Sequence, residues 1–244
     1  MSKKYFILLI CGAFIMLSSF TLVKFINFSF TDNVPSPSGI FYVNKVAAEN
    51  FRGQSLFMNY LVVAYFPDTT YQGITLTRNA GGEVKLNNQT VSYLSNVQFY
   101  ADTNFDLSSA SGFNWNIAGS SRVDVFNFVN TNPIPSFNYS TLIIPSSIDT
   151  SVNFSVQLSQ ITNADSVFLT LSRADSVSRP PFVIKRYSTE NGNFTIPKQD
   201  LKKYASGQEL YFQIELSNYN GLIQSSKLYT FVNSFDYRKK IILQ

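Results

Sequence analysis

Histidine is absent from this 244-residue chain. Without imidazole there is no base for Ser/His/Asp or Cys/His catalysis, no imidazole metal ligand and no histidine pH switch. An enzyme built from this sequence would have to use carboxylates or lysine, and no spacing of those residues matches a catalytic or cofactor motif. We therefore expect a non-enzymatic protein with no cofactor and no catalytic, cofactor-binding or metal-binding residues.

Cysteine is almost absent too. Cys11 is the only one, and it lies in an apolar N-terminal segment. The rest of the chain cannot form an internal disulfide, so its stability must come from burial of a core. The 45% hydrophobic and 16% aromatic content is ample for that purpose. Small disulfide scaffolds and disordered tails are therefore excluded.

Charge is sparse and weakly positive, with 14% charged residues and a net charge of +4. Two of the lysines, Lys3 and Lys4, belong to the N-terminal segment. The remaining basic clusters, Lys202–Lys203 and Arg238–Lys240, are short and read as solvated surface. A basic stripe of the kind that nucleic acids require is missing, so we expect no nucleic-acid partner.

The chain has one long apolar run, from Tyr5 to Val23, preceded by two lysines and closed by Lys24. As a helix it would extend for roughly 28 Å, nearly the thickness of a bilayer core. Residues 1–30 are therefore predicted to be a signal peptide, cleaved after Ser19, or a retained membrane anchor. Either use predicts an extracytoplasmic location: periplasm, outer cell surface or secreted.

The end of this run resembles the leader of Gram-negative lipoproteins in Met16-Leu17-Ser18-Ser19. Phe20 stands where the acylated cysteine of that family would be. Ile10, directly before Cys11, is likewise unsuited to the lipoprotein peptidase. We therefore expect no lipid at either position.

Beyond the leader, apolar residues alternate with polar ones, which is typical of half-buried antiparallel strands. The alternation is clear over 152–158 and 210–216, and it places Trp115 on the inward face of a strand. Leu56–Phe66 is apolar on both faces, as expected for a central strand. Asn87-Asn88 predicts a tight hairpin turn. Only a short stretch after Pro197 predicts a helix, of one or two turns.

Two prolines in Asn132-Pro133-Ile134-Pro135 predict an extended linker. This boundary divides the chain into a β-sandwich domain at 34–131 and an immunoglobulin-like β-sandwich domain at 134–244. The predicted fold class is thus all-β, with two tandem sandwiches after an N-terminal signal or anchor helix. A single jelly-roll-like domain is the alternative.

Several segments resemble the tandem immunoglobulin-like modules of uncharacterised Gram-negative envelope proteins. In the second half they are Ala164–Val167, Asn193–Pro197 leading into Leu201, and Gly207–Leu216; in the first half they are Trp115–Gly119 followed by Pro133. The resemblance implies a fold and an envelope location. It implies no activity and no functional residues.

Asp102-Thr103-Asn104-Phe105-Asp106 has the oxygen spacing of the first half of a calcium loop. Leu107 replaces the glycine of that motif and Phe113 replaces its bidentate glutamate. A polar loop between strands is therefore expected, without calcium.

Three further groups could serve a surface function. Carboxylate-pair chemistry needs two acids facing each other, but positions such as Asp124 and Glu215 are expected to face solvent on strands. Tyr211, Tyr219 and Tyr229 could form an exposed platform for a sugar or a protein. Asp165-Ser166-Val167, Asp175-Ser176-Val177 and Asp68-Thr69-Thr70 resemble acceptors of bacterial envelope O-glycosylation; chance is the better explanation in so serine-rich a chain.

Together these features predict an exported, non-enzymatic binding, adhesion or assembly module of the cell envelope. The expected partner is an envelope protein or a surface glycan, with possible membrane anchoring through the N-terminal segment. The alternative is a carbohydrate-binding or carbohydrate-processing accessory protein. An exposed aromatic stripe or an acid-lined groove would favour the alternative, and a flat apolar patch or an open sheet edge would favour assembly.

Overall fold

The computed structural model describes residues 38–49, 56–67, 78–96, 98–139, 142–173, 183–187, 192–202 and 204–244. Nearly all regular structure in these residues is β, which confirms the all-β class. The predicted signal or anchor at residues 1–30 lies outside them. The described residues contain no helix with the length and apolarity needed to span a bilayer.

A main sheet of ten strands organises the molecule. Eight of the strands follow one another in the order β13-β12-β15-β16-β1-β2-β7-β6, while β10 pairs with β16 and β3 with β2. The strands are β1 Gly39–Glu49, β2 Leu56–Pro67, β3 Arg78–Asn79, β6 Tyr93–Leu94, β7 Phe99–Asp102, β10 Ser147–Ile148, β12 Ser166–Arg173, β13 Val183–Tyr187, β15 Glu209–Gln224 and β16 Lys227–Leu243.

The strand β16 pairs with three neighbours. It forms an antiparallel hairpin with β15, closed by Ser225 and Ser226 at positive φ. On its other side it pairs in parallel with β1, from Gly39↔Tyr229 to Ala48↔Arg238, and then with β10. A strand near the end of the chain thus holds the first described strand in place.

Two smaller sheets lie on one face of the main sheet, which we call the core face. One has the order β5-β4-β8-β9 and the other is the pair β11-β14. Their strands are β4 Val84–Leu86, β5 Gln89–Thr90, β8 Phe113–Ile117, β9 Phe126–Asn130, β11 Phe154–Gln157 and β14 Asn193–Ile196. Helix α1, Lys198–Leu201, follows Pro197 as predicted.

The predicted hairpin turn is confirmed. Asn87 and Asn88 connect β4 to β5, and both have positive φ, at 48° and 65°. Two left-handed central residues give the turn a backbone twist that matches the twist of the flanking strands, and asparagine tolerates this conformation well. Gly82 also has positive φ, at 73°.

Two hydrophobic cores lie between the main sheet and the small sheets. The first core joins β1, β2, β7 and β16 to β4, β8 and β9, and it contains Trp115, which is buried as predicted. The second core joins β12, β15 and β16 to β10, β11, β14 and α1. Because β16 contributes Phe231 to the first core and Phe235 to the second, one strand is part of both.

Side chains on the other face of the main sheet, the reverse face, are also buried. A third apolar cluster lies here, and every member comes from the main sheet itself. Its buried members are Ile40, Tyr42, Leu61, Val63, Tyr65, Phe99, Ala101, Phe168 and Val232. The strand β2 therefore buries both faces, as the sequence predicted.

The strand pairing joins both predicted domains in one sheet. β1 belongs to the range 34–131 and β16 to the range 134–244, and ten residue pairs connect them. The segment around Pro133 also contacts the sheet, because its carbonyl accepts a hydrogen bond from Asn218 Nδ2 at 2.7 Å. The division into two tandem immunoglobulin-like units stays a prediction.

Candidate functional site

The most unusual chemistry in the described residues is a group of polar side chains at the centre of the reverse face. We call Glu215, Asp236, Arg238, Tyr42 and Asn44 the acid cluster. Glu215 on β15 and Asp236 on β16 are direct cross-strand partners, a position that places Cβ atoms about 4.5–5.5 Å apart. Their exposed fractions are 4% and 2%. Two buried acids therefore face each other.

Asp236 accepts hydrogen bonds from the described residues through only one of its two carboxylate oxygens. Oδ2 accepts from Arg238 Nη2 at 2.9 Å and from Asn44 Nδ2 at 3.1 Å. Oδ1 is buried and has no hydrogen-bond partner among the described residues. Since buried acceptors are nearly always paired, this atom marks a missing donor.

Glu215 is held by hydroxyl groups. Its Oε1 accepts from Ser217 Oγ at 3.2 Å and, over a longer 3.4 Å, from Tyr42 OH. Tyr42 OH in turn accepts from Ser234 Oγ at 2.7 Å. β1, β15 and β16 thus each contribute to one hydrogen-bonded network.

The electrostatics of the cluster favour a neutral glutamic acid. Burial and, to a lesser extent, the Asp236 carboxylate raise the pKa of Glu215 to about 8, although Ser217, Arg238 and Tyr42 oppose the shift. Burial also raises the pKa of Tyr42, with further contributions from Glu215 and Asp236. At neutral pH the cluster therefore combines a protonated acid with a carboxylate that is paired with Arg238.

Enzymes that use general acid–base catalysis often pair a protonated acid with a carboxylate. Here, however, both acids are enclosed by their own chain. A substrate needs access to both groups, and neither is exposed enough to offer it. The arrangement can bind and release a proton, and it is not built as an open catalytic groove.

The prediction that Glu215 faces solvent is wrong, because the main sheet is buried on both faces. Alternation along β15 places Gln213, Glu215 and Ser217 on the reverse face, and all three are buried. Asp124 is partly shielded rather than free in solvent. It forms an ion pair with Lys227 Nζ at 3.0 Å and accepts from Tyr229 OH at 3.2 Å.

The three tyrosines do not form a common platform. Tyr229 is buried in the first core, on the core face. Tyr211 and Tyr219 are half-buried and lie on the reverse face of β15. Among the large hydrophobic side chains exposed in the described residues, Tyr93 is the sole aromatic.

The side chains of the calcium-like loop are occupied by loop contacts. Asp102 accepts from the backbone N–H of Asn104 at 2.9 Å, and Asp106 accepts from the N–H and hydroxyl of Ser108. These bonds stabilise the turns of a polar loop. Across the described part of the chain, no three histidine, cysteine, aspartate or glutamate residues group together as a metal site.

Ser166, in the Asp165-Ser166-Val167 motif, has a structural position. Its side chain is fully buried and its hydroxyl lies 3.0 Å from Tyr219 OH. A glycosyltransferase cannot reach it in the folded protein. The motifs at 68–70 and 175–177 lie outside the described residues.

The sequence contains few features from which the acid cluster could have been predicted. Asn44 and Lys45 are the two polar residues between the apolar segments Ile40–Val43 and Val46–Ala48 of β1, and Asp236 and Arg238 alternate with core residues. Comparison with protein-family models and with curated proteins gives no match.

Proposed function

We propose that this chain is an exported, non-enzymatic assembly module of the cell envelope, which binds a protein partner through its sheets. The observation that carries the proposal is the pairing of the main sheet. β13 and β6 end its strand order, and each pairs on one side only among the described strands. Unpaired strand edges accept an additional strand from a partner.

The exposed side chains support a protein partner more than a sugar. Apart from Tyr93, the exposed large hydrophobic residues of the described chain are aliphatic: Val125, Val129, Ile143, Val152, Ile223 and Ile242. Sugar-binding surfaces rely on exposed aromatic rings, which these positions do not provide. The enclosure of Glu215 and Asp236 also argues against an acid-lined groove.

The proposal retains two immunoglobulin-like units, at 34–131 and 134–244, as the modules. It is supported by the two cores, each covered by its own small sheet. In this view the β15–β16 hairpin contributes to the cores of both units. The units then behave as one rigid body rather than as two domains joined by a flexible linker.

Export is tested by expressing the full chain in a Gram-negative host, fractionating the cells and measuring the intact mass. A mass starting near Phe20 in the periplasm or medium indicates cleavage, and a mass starting at Met1 in the membrane indicates an anchor. Leu9→Arg, which interrupts the apolar run, should retain the protein in the cytoplasm; Ile223→Arg, at an exposed position, should not. Wild-type protein found in the cytoplasm would contradict the proposal.

Binding is tested by cross-linking and co-purification from native membranes, together with a glycan array probed with the exported protein. A reproducible envelope protein partner and a blank array are expected. Clear saccharide binding would instead support the carbohydrate-binding alternative.

A further inference from the structure

We propose that Glu215 and Asp236 share one proton, with the Glu215 carboxylic O–H donating to Asp236 Oδ1, and that this bond is a pH-sensitive tie between β15 and β16. The inference does not depend on the proposed function. It concerns a proton-binding site buried at the centre of the main sheet.

Asp236 Oδ1 lacks a hydrogen-bond donor among the described residues. In the part of the chain that the structure describes, the N–H groups of Arg238 and Asn44 both reach Asp236 at Oδ2, and Oδ1 is buried without a partner. The residue directly opposite, Glu215, is an acid that becomes a donor when it is protonated. A carboxylic acid in that position supplies the hydrogen bond that Oδ1 lacks.

The net charge of the cluster also favours one proton on the pair. With both acids ionised, two buried negative charges would face the single positive charge of Arg238. An unpaired buried charge is strongly unfavourable. One proton on the pair makes the cluster neutral, while Asp236 keeps its ion pair with Arg238 at 2.9 Å.

The groups around Glu215 do not compete with the carboxyl pair for this proton. Among the described residues, the ionisable groups facing Glu215 are Tyr42 from β1 and Asp236 and Arg238 from β16. On the other side, β12 places Phe168 opposite Glu215, and Thr170 follows on the same face. Neither of these ionises, and Tyr42 remains neutral because its own pKa is raised. The proton therefore belongs to the carboxyl pair.

The pH dependence follows from linkage. The pKa of Glu215 is about 8 in the folded chain against an ordinary value of 4.5, so between these values the folded state holds the extra proton. Stability is then complete below about pH 4.5 and falls as the pH rises towards 8. The folding equilibrium constant should fall by up to about a thousandfold between pH 5 and pH 9.

Glu215→Gln tests the proposal, because the amide still donates to Oδ1 but cannot lose a proton. Urea unfolding of the full chain should be measured at several pH values. The stability of the wild type should fall between pH 5 and pH 9, whereas that of the variant should change little. The variant should therefore be the more stable protein at pH 9. Glu209→Gln is the matched control. Glu209 lies on the same strand, is exposed and pairs with Lys240, so its variant should follow the wild-type curve.

Carboxyl-carbon NMR of the folded wild type provides a second measurement that needs no variant to fold. One glutamic acid signal should titrate near pH 8. Equal pH dependence of wild type and Glu215→Gln, or a Glu215 carboxyl already ionised at pH 6, would overturn the proposal.

Discussion

Phe231 offers the sharpest test of whether both halves of the chain build the first core, which we call the shared core. It lies on β16 but stacks on two rings from the first half of the chain: Phe41, with ring centroids 4.8 Å apart, and Phe128, at 4.0 Å. All of its side chain is buried. Phe231→Ala should therefore reduce the free energy of unfolding by about 3–5 kcal/mol, the usual range for losing a buried phenylalanine.

The coupling energy between Phe41 and Phe231 is more informative than the loss of stability caused by either single substitution. Aromatic pairs contribute about 0.5–1.5 kcal/mol beyond their buried area. A double-mutant cycle of Phe41→Ala and Phe231→Ala should therefore give a coupling energy of about 1 kcal/mol. Phe212, fully buried in the second core, supplies the control, since Phe41→Ala and Phe212→Ala should be additive within about 0.5 kcal/mol.

Trp115 is a convenient probe for this cycle. It is the only tryptophan, and its ring centroid lies 5.0 Å from that of Phe41. Urea unfolding followed by its fluorescence reports directly on the first core. If Phe231→Ala left the tryptophan midpoint unchanged, or if Phe41 and Phe231 proved additive, the shared core would be refuted.

Three further predictions concern turns and loops. Gly82→Ala should destabilise the protein by at least about 1 kcal/mol more than Gly207→Ala in thermal unfolding. Both glycines have positive φ, but only at Gly82 is there no room for a side chain. A Cβ there would collide with the carbonyl of Gly119, whereas no atom lies close to a Cβ at Gly207. Equal losses would contradict this reasoning. Asn88→Val should cost about 1–2 kcal/mol because a β-branched residue resists φ of 65°, while Asn88→Gly should be tolerated; chemical denaturation of both variants checks the difference. Millimolar calcium should leave the melting temperature unchanged, and a rise of several degrees that Asp102→Ala removes would sink this prediction.

Local chemistry explains what the sequence could predict. The alternation around Trp115 identified an inward face, Asn87-Asn88 specified a turn, and Pro197 marked the start of α1. Each depends only on neighbouring residues, whose spacing is visible in the chain. These features agree with the structure for that reason.

Non-local pairing explains what it could not predict. Alternation shows which side chains share a face of a strand, but not what covers that face. Glu215 therefore resembled a solvent-facing residue although it is buried. The parallel pairing of β1 with β16 has no local signature, because no turn connects the two strands. The acid cluster depends on both of these facts.

The position of β16 in the chain has a consequence for the order of events during folding. Asn44 and Asp236 are hydrogen-bonded although 192 residues separate them. A chain made from its N-terminus presents β1 early, and its partner strand β16 is synthesised much later. Closing so long a loop is slow, and until then the edge of β1 stays unpaired. If the chain is exported as proposed, this delay would keep the polypeptide unfolded during translocation. A chaperone that holds the unfolded chain would then be useful.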